Sequence, residues 1–174
     1  YARDCKITSI FEGTSGVQAM DLLGRKLGMK KGQVFVAFLG EIHKIVAQAK
    51  TVPGLEGLAD KVAAVANRLG ETAMNLGKTA MSLEYKVAFA HSWPFLDAMG
   101  DTIMSWMLLW RAVTAAHQLN NGAKKKDEIF YKGQIKTAEF FISTVLPMTM
   151  GRMESINAKC PAAIEMDDDG FGGI

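Results

Sequence analysis

A carboxylate held between an aromatic residue and a glycine is the part of this sequence best suited to chemistry. Glu12 lies in the run Ile10-Phe11-Glu12-Gly13-Thr14-Ser15-Gly16. A carboxylate serves as a general base near neutral pH when apolar surroundings desolvate its charged form and raise its pKa. Gly13 has no Cβ, so a ligand can approach the backbone closely there. Taken alone, however, Glu-Gly-Thr-Ser-Gly is also a turn between helices, with Thr14 or Ser15 capping the second one. The local sequence leaves both readings open.

Other chemistry-bearing residues are less well placed. His43, His91 and His117 are scattered and have no partner at metal-ligand spacing, so no metal site is expected. Asp97 and Asp101 are one helical turn apart without a nearby histidine, and caps or solvated positions account for them. The glycines at 13 and 16 lack the preceding strand and the lysine of a phosphate loop. Cys5 and Cys160 are too far apart in sequence to read as a disulfide framework or zinc site, which favours a reduced, cytoplasmic setting. Trp106 and Trp110 are spaced as helical core residues.

Charge and composition narrow the function classes. The 174 residues carry 20 basic and 18 acidic side chains, a net charge of +2. Such a balance argues against nucleic acid as a partner, since phosphate binding needs a concentrated basic surface. Lys124-Lys125-Lys126 runs straight into Asp127-Glu128 and reads as a solvated loop opening a helix. The longest apolar run, Ile103 to Val113, contains Ser105 and Arg111 and falls short of the roughly 20 residues of a membrane span. The chain starts at Tyr1 rather than Met, and it is expected to be a fragment of a longer protein.

The elements that must position these residues all repeat at helical period, so the expected class is all-α. A first helix after Ser15 carries Val17, Met20, Leu23 and Leu27, and Gly28 and Lys30-Lys31-Gly32 end it. A second carries Val34, Phe38, Ile42, Val46 and Ala49 and stops at Val52-Pro53-Gly54. The third has the clearest stripe, Leu55, Leu58, Val62, Val65, Leu69, Ala73, Leu76 and Ala80, and Gly70 and Gly77 within it each cost about 1 kcal/mol against alanine. After a softer stretch, Ser92 is the expected cap of a fourth helix with Met99, Ile103, Trp106, Trp110, Val113 and His117. This helix is apolar on more than one face and should be the most buried. A fifth runs from Asp127 through Tyr131, Ile135, Ala138, Ile142, Val145, Thr149 and Met153, with a kink at Pro147.

Short connections favour antiparallel neighbours, so helices two to five should form an up-and-down four-helix bundle with Trp106 and Trp110 in or near its core. Residues 1–30 would be the end of a preceding domain. Residues 31–160 would be the bundle domain, and 161–174 a mobile acidic, glycine-rich tail.

Function enters through a resemblance. Arg3-Asp4, then Ile7, then Ile10-Phe11-Glu12-Gly13-Thr14-Ser15-Gly16-Val17-Gln18 resembles the C-terminal signature of acyl-CoA dehydrogenases. There, Arg-Asp and a short apolar stretch lead into Ile-Tyr-Glu-Gly-Thr and an Ile-Gln or Val-Gln pair; Phe11 stands where tyrosine is usual. Ala19 to Leu27 is similar to the continuation in longer members, which carry an added C-terminal helical domain. Leu96 to Gly100, Trp106, Trp110 and Arg111 resemble that domain's central helix. Phe130-Tyr131-Lys132-Gly133, Thr137-Ala138 and Leu146-Pro147 resemble its last helix.

The resemblance implies an all-α C-terminal piece of a flavin-dependent enzyme that oxidises acyl-CoA thioesters to 2-enoyl-CoA. It makes Glu12 the catalytic base and puts Gly13 beside the substrate. It places Thr14, Ser15 and Gly16 against the nucleotide part of FAD, Gly16 through its backbone. It further implies electron transfer to an electron-transferring flavoprotein and a homo-oligomeric parent. The fragment alone would retain no FAD and be inactive. A different class of reading is a non-enzymatic bundle serving as an interaction or dimerisation module; an intact Glu-Gly-Thr signature is the feature that separates the two.

Overall fold

The computed structural model describes residues 2–6 and 14–172, and every regular element among them is helical. Helix α1 is Ala2–Lys6 and α2 is Ser15–Asp21. A π-helical turn, Leu22–Lys26, continues α2, closed by the Leu27 N–H on the Leu22 carbonyl. Then come α3 (Gln33–Lys50), α4 (Glu56–Ala80), α5 (Tyr85–Ala90) and α6 (Ser92–Asn120). Helices α7 (Lys125–Thr144), α8 (Leu146–Ala158) and the short α9 (Ala162–Glu165) complete the order.

Local sequence explains most boundaries. Between α3 and α4, Gly54 takes φ +88°, and its N–H donates to the first-turn carboxylate of Glu56 at 2.8 Å. After α6, Gly122 at φ +78° donates its N–H to the Leu119 carbonyl while Ala123 donates to Gln118. That pair of bonds is a Schellman end, which the Asn-Asn-Gly sequence favours. Before α3, Lys30, Lys31 and Gly32 are all left-handed, at φ +49°, +58° and +83°. Only the glycine avoids the Cβ cost of roughly 1–2 kcal/mol per residue.

The fifth helix is loosened at Pro147, as expected: Pro147 has no N–H to donate, and Val145 alone separates α7 from α8 while keeping right-handed helical angles, donating to the Phe141 carbonyl and accepting from the Thr149 N–H. The long elements are α3, α4, α6 and the α7–α8 pair. Other expectations need correction. Ser92 is inside α6 and buried, with His91 at the cap position. The softer stretch holds α5. Gly70 and Gly77 do not interrupt α4, which runs 25 residues unbroken.

Helix α6 is the hub, touching α2, α3, α4, α5, α7 and α8. The face it buries is mostly one of small residues: Ala98, Thr102, Ser105, Leu109 and Ala112, with Phe95 near the start at 0% exposure. Thr102 and Ser105 turn their hydroxyls onto α6's own carbonyls, Ala98 and Thr102, and so are satisfied without a partner helix. Of the expected stripe, Val113 is buried, and Met99 and Trp106 pack against the core from its edge. Met99 and Trp106 are half-buried, Ile103 is on the surface, and Trp110 is 48% exposed. Because α6 is apolar nearly all round, period alone could not identify the inward side.

Packing against α6 are Ile42, Val46 and Ala49 of α3 and the α4 stripe, of which Leu55, Val62, Val65, Leu69, Ala73 and Leu76 are buried. Ile142, Met153 and Ile156 close the core from α7 and α8. Helix α8 is also held by polar contacts. Asp101 on α6 accepts from Thr149 Oγ1 and Arg152 Nη1, both at 2.8 Å. Asn157 Nδ2 donates to Thr72 Oγ1 on α4 at 2.8 Å, and Arg68 pairs with Glu154 at 2.6 Å. Leu22 and Leu23 belong to this same core, so the segment before α3 packs onto the bundle.

Two stability outcomes follow. Phe95→Ala should lose about 3–5 kcal/mol, and Trp110→Ala, already half in water, less than about 2 kcal/mol. A Cβ on Gly77 would meet nothing within 4 Å, so Gly77→Ala should gain about 0.5–1 kcal/mol from helix propensity. At Gly70 a Cβ would lie 3.1 Å from Leu39 Cδ1, and the clash should offset that gain. Urea unfolding of the four variants measures all of this.

Candidate functional site

Glu12 and Gly13 lie outside the described residues, and the structure places the three residues that follow them. Thr14 occupies the N-cap of α2, its carbonyl accepting from the Gln18 N–H at 3.0 Å. Its side chain makes no cap hydrogen bond, contrary to expectation. Ser15 and Gly16 begin the helix, and all three residues are exposed. A Cβ at Gly16 would meet nothing within 4 Å, so the chain's own packing does not demand glycine there.

What holds this turn in place is the other side of α2. Ala19 is wholly buried, and α2 lies against α6. One turn later Leu22 and Leu23 enter the core through the π-helical turn, whose extra residue per turn brings both inward. Gly24 faces the ring of Phe89; an added Cβ would stand 3.4 Å from it, in ordinary van der Waals contact. The 14–16 turn is thus a solvent-facing edge on a helix anchored to the hub of the bundle.

Asp21 and Arg25 form the strongest charged contact of this segment. Asp21 Oδ1 and Oδ2 accept from Arg25 Nε and Nη2 at 2.7 and 2.8 Å. The hydrogen bond from Arg25 holds the Asp21 carboxyl below its ordinary value of 3.8, and the carboxylate in turn raises the guanidinium.

The remaining candidates resolve as follows. His43 and His91 are half-buried and His117 is exposed, on three different stretches of the chain. Asp97 is exposed, as expected, whereas Asp101 is the buried-edge acceptor for Thr149 and Arg152 rather than a cap. Cys5 and Cys160 are exposed. Among the described residues no three His, Cys, Asp or Glu side chains gather as a metal site, and no helix is long and apolar enough to cross a membrane.

Two clefts lie away from the 14–16 turn. One, between α4 and α7, is bordered by Gly57, Lys61, Lys136 and Glu139. The other, between α6 and α7, has Trp110, Phe130 and Tyr131 in its walls. Sequence reasoning assigned Trp110 to the core and so missed this second cleft. Its one available signal was Phe130-Tyr131 at the start of α7, where the helical pattern is otherwise polar.

Comparison with known proteins adds a family. The model described as "Acetyl-CoA dehydrogenase C-terminal like" matches residues 38–167. A broad-specificity linear acyl-CoA dehydrogenase of Mycobacterium tuberculosis is 33% identical across 98% of this chain and 29% of its own length. A butyryl-CoA dehydrogenase of Syntrophomonas wolfei is 32% identical across 97% of this chain and 27% of its own length. A 3-methylmercaptopropionyl-CoA dehydrogenase of Ruegeria pomeroyi is 33% identical across 84% of this chain and 24% of its own length. The chain therefore spans less than a third of the relatives it matches.

The Asp21–Arg25 pair gives a titration outcome. A carboxyl lowered by folding contributes its stability above the unfolded pKa and loses it as pH falls through the folded one. Carbon-detected NMR titration should put the Asp21 midpoint below 3.8, and Arg25→Ala should return it toward that value.

Proposed function

The chain belongs to the acyl-CoA dehydrogenase family through its C-terminal-like domain, and on that premise we propose that it is the C-terminal part of a flavin-dependent enzyme that oxidises acyl-CoA thioesters to 2-enoyl-CoA. The observation that carries this reading is the intact Glu12-Gly13-Thr14 signature within a match that extends over almost the whole chain.

In this reading Glu12 is the base. One of its carboxylate oxygens takes the proton from the carbon next to the thioester, and the adjacent carbon gives up a hydride, leaving a conjugated double bond. The backbone N–H of Glu12 donates to the thioester oxygen, where negative charge develops as the proton leaves. Gly13 keeps the backbone free of a side chain where the acyl group passes. An apolar acyl chain beside Glu12 disfavours its charged form and brings its pKa toward the working pH.

Thr14, Ser15 and Gly16 suit a contact with the nucleotide part of FAD. They are exposed, the Thr14 hydroxyl is not used as a cap, and no neighbour crowds Gly16. Ser15 would offer a hydroxyl and Gly16 its backbone. Bound FAD would supply the hydride acceptor. The remaining wall of such a site must come from chain beyond these residues. Electron-transferring flavoprotein as the acceptor protein, a homo-oligomeric parent and a cytoplasmic setting belong to the same proposal.

The division into residues 1–30, 31–160 and 161–174 is part of it too. The left-handed run at Lys30 to Gly32 supports a junction near residue 30. The core positions of Leu22 and Leu23 give that junction a firm seat on the bundle.

The test is Glu12→Gln in the full-length protein, followed by acyl-CoA-dependent bleaching of the flavin. Bleaching should slow by at least about 10²–10⁴-fold, the span assigned to a positioned base. Bleaching at the unaltered rate would remove Glu12 from the mechanism. The 174-residue chain purified alone should be colourless.

A further inference from the structure

The part of the apolar α6 surface that faces away from the core does not end in open solvent along its whole length. Phe38 of α3 meets Trp106 edge-on, with ring centres 5.9 Å apart. Trp106 stacks on Trp110 at 6.3 Å and 21°. Beyond Trp110 the surface opens into a cleft of about 320 Å³ between α6 and α7. Trp110, Met107, Phe130 and Tyr131 supply apolar walls, and Phe130 and Tyr131 brace each other edge-to-face at 5.6 Å.

One charged side chain lines this cleft, Arg111. Its Nη2 donates to Gln134 Oε1, also in the lining. Among the described residues no carboxylate pairs with Arg111, although Arg25, Arg68 and Arg152 each have one. The cleft thus joins aromatic walls to a cation that lacks a counter-charge and has N–H groups to spare. Along α6 it extends from Met107 to Ala115, about 12 Å at helical rise.

We propose that the α6–α7 cleft binds a small amphipathic anion, with an alkyl chain along Trp110, Met107 and Phe130 and a carboxylate on Arg111. The volume lies at the lower end of the usual range for small-molecule sites, roughly 300–1,000 Å³, and matches one chain rather than a bulky ligand. Charge complementarity selects the anion: a guanidinium presents two parallel donors to a carboxylate and repels an ammonium head. The proposal does not depend on Glu12 or on any redox step.

Decanoate is the probe, added to the full-length protein below its micelle concentration and followed by tryptophan fluorescence and by calorimetry. Saturable binding is expected, with the fluorescence change lost in Trp110→Phe. Arg111→Ala should weaken binding about tenfold, the effect of one charge-assisted contact, while Arg111→Lys, which keeps the charge but not the paired donors, should restore only part of it. Decyltrimethylammonium, with the same chain and opposite charge, should bind at least about tenfold more weakly than decanoate. Thermal unfolding checks that the variants keep the fold. Absence of saturable binding would overturn the proposal and point to a cleft covered by another part of the protein or by a second copy. Equal affinity for the two amphiphiles, or an Arg111→Ala affinity unchanged within about twofold, would also overturn it.

Discussion

The close seating of α6 among its neighbours is the contact on which the rest of this structure depends. Its inward face carries more alanine, serine and threonine than large side chains. Hydroxyls on such a face would be costly if unsatisfied. Here Thr102 and Ser105 bond to carbonyls of their own helix and demand nothing of α4. Phe95, Leu108, Leu109 and Val113 supply the larger buried side chains of this face. Trp106 at the edge of the core and the more exposed Trp110 continue into a ladder of rings with Phe38.

The same constraint explains which parts of the fold were legible in the sequence. α4 was read almost completely, because one face is apolar, the other polar, and the stripe has only one possible inward side. Its glycines did not break it, since helix propensity is a weak term beside the burial of Leu69 and Leu76. α6 was located and read in part. Two faces at helical spacing compete there: Val113 is buried, and Met99 and Trp106 flank the core as expected, whereas Ile103 and Trp110 face outward. Pro147 was read as a kink or local loosening, and the loss of one N–H interrupts the helix at Val145 alone, which keeps helical angles. Asp101 was taken for a cap because its partners, Thr149 and Arg152, are distant in sequence.

The candidate chemistry rests on resemblance and not on pattern. No periodicity marks Glu12 out from an ordinary turn. The described part of that turn, Thr14 to Gly16, is solvent-facing, with its anchoring left to Ala19, Leu22 and Leu23. This is the arrangement expected of one wall of a divided site: a rigid support behind, and exposed polar groups in front to meet surfaces contributed elsewhere. The bundle fixes the orientation of α2 by burying its back, so a change in α6 packing would be felt at the turn without touching it.

The left-handed run at Lys30 and Lys31 has a consequence for how the chain behaves when it is cut. Two exposed lysines in an unfavourable backbone conformation outside the long helices make a natural target for trypsin-like proteases. Scission there severs the covalent link between α2 and α3 and releases the local strain. It leaves Ala19, Leu22 and Leu23 embedded among the bundle helices. A nicked molecule therefore stays together as a complementing pair of peptides, and continuity of the backbone at this junction is dispensable for keeping α2 docked.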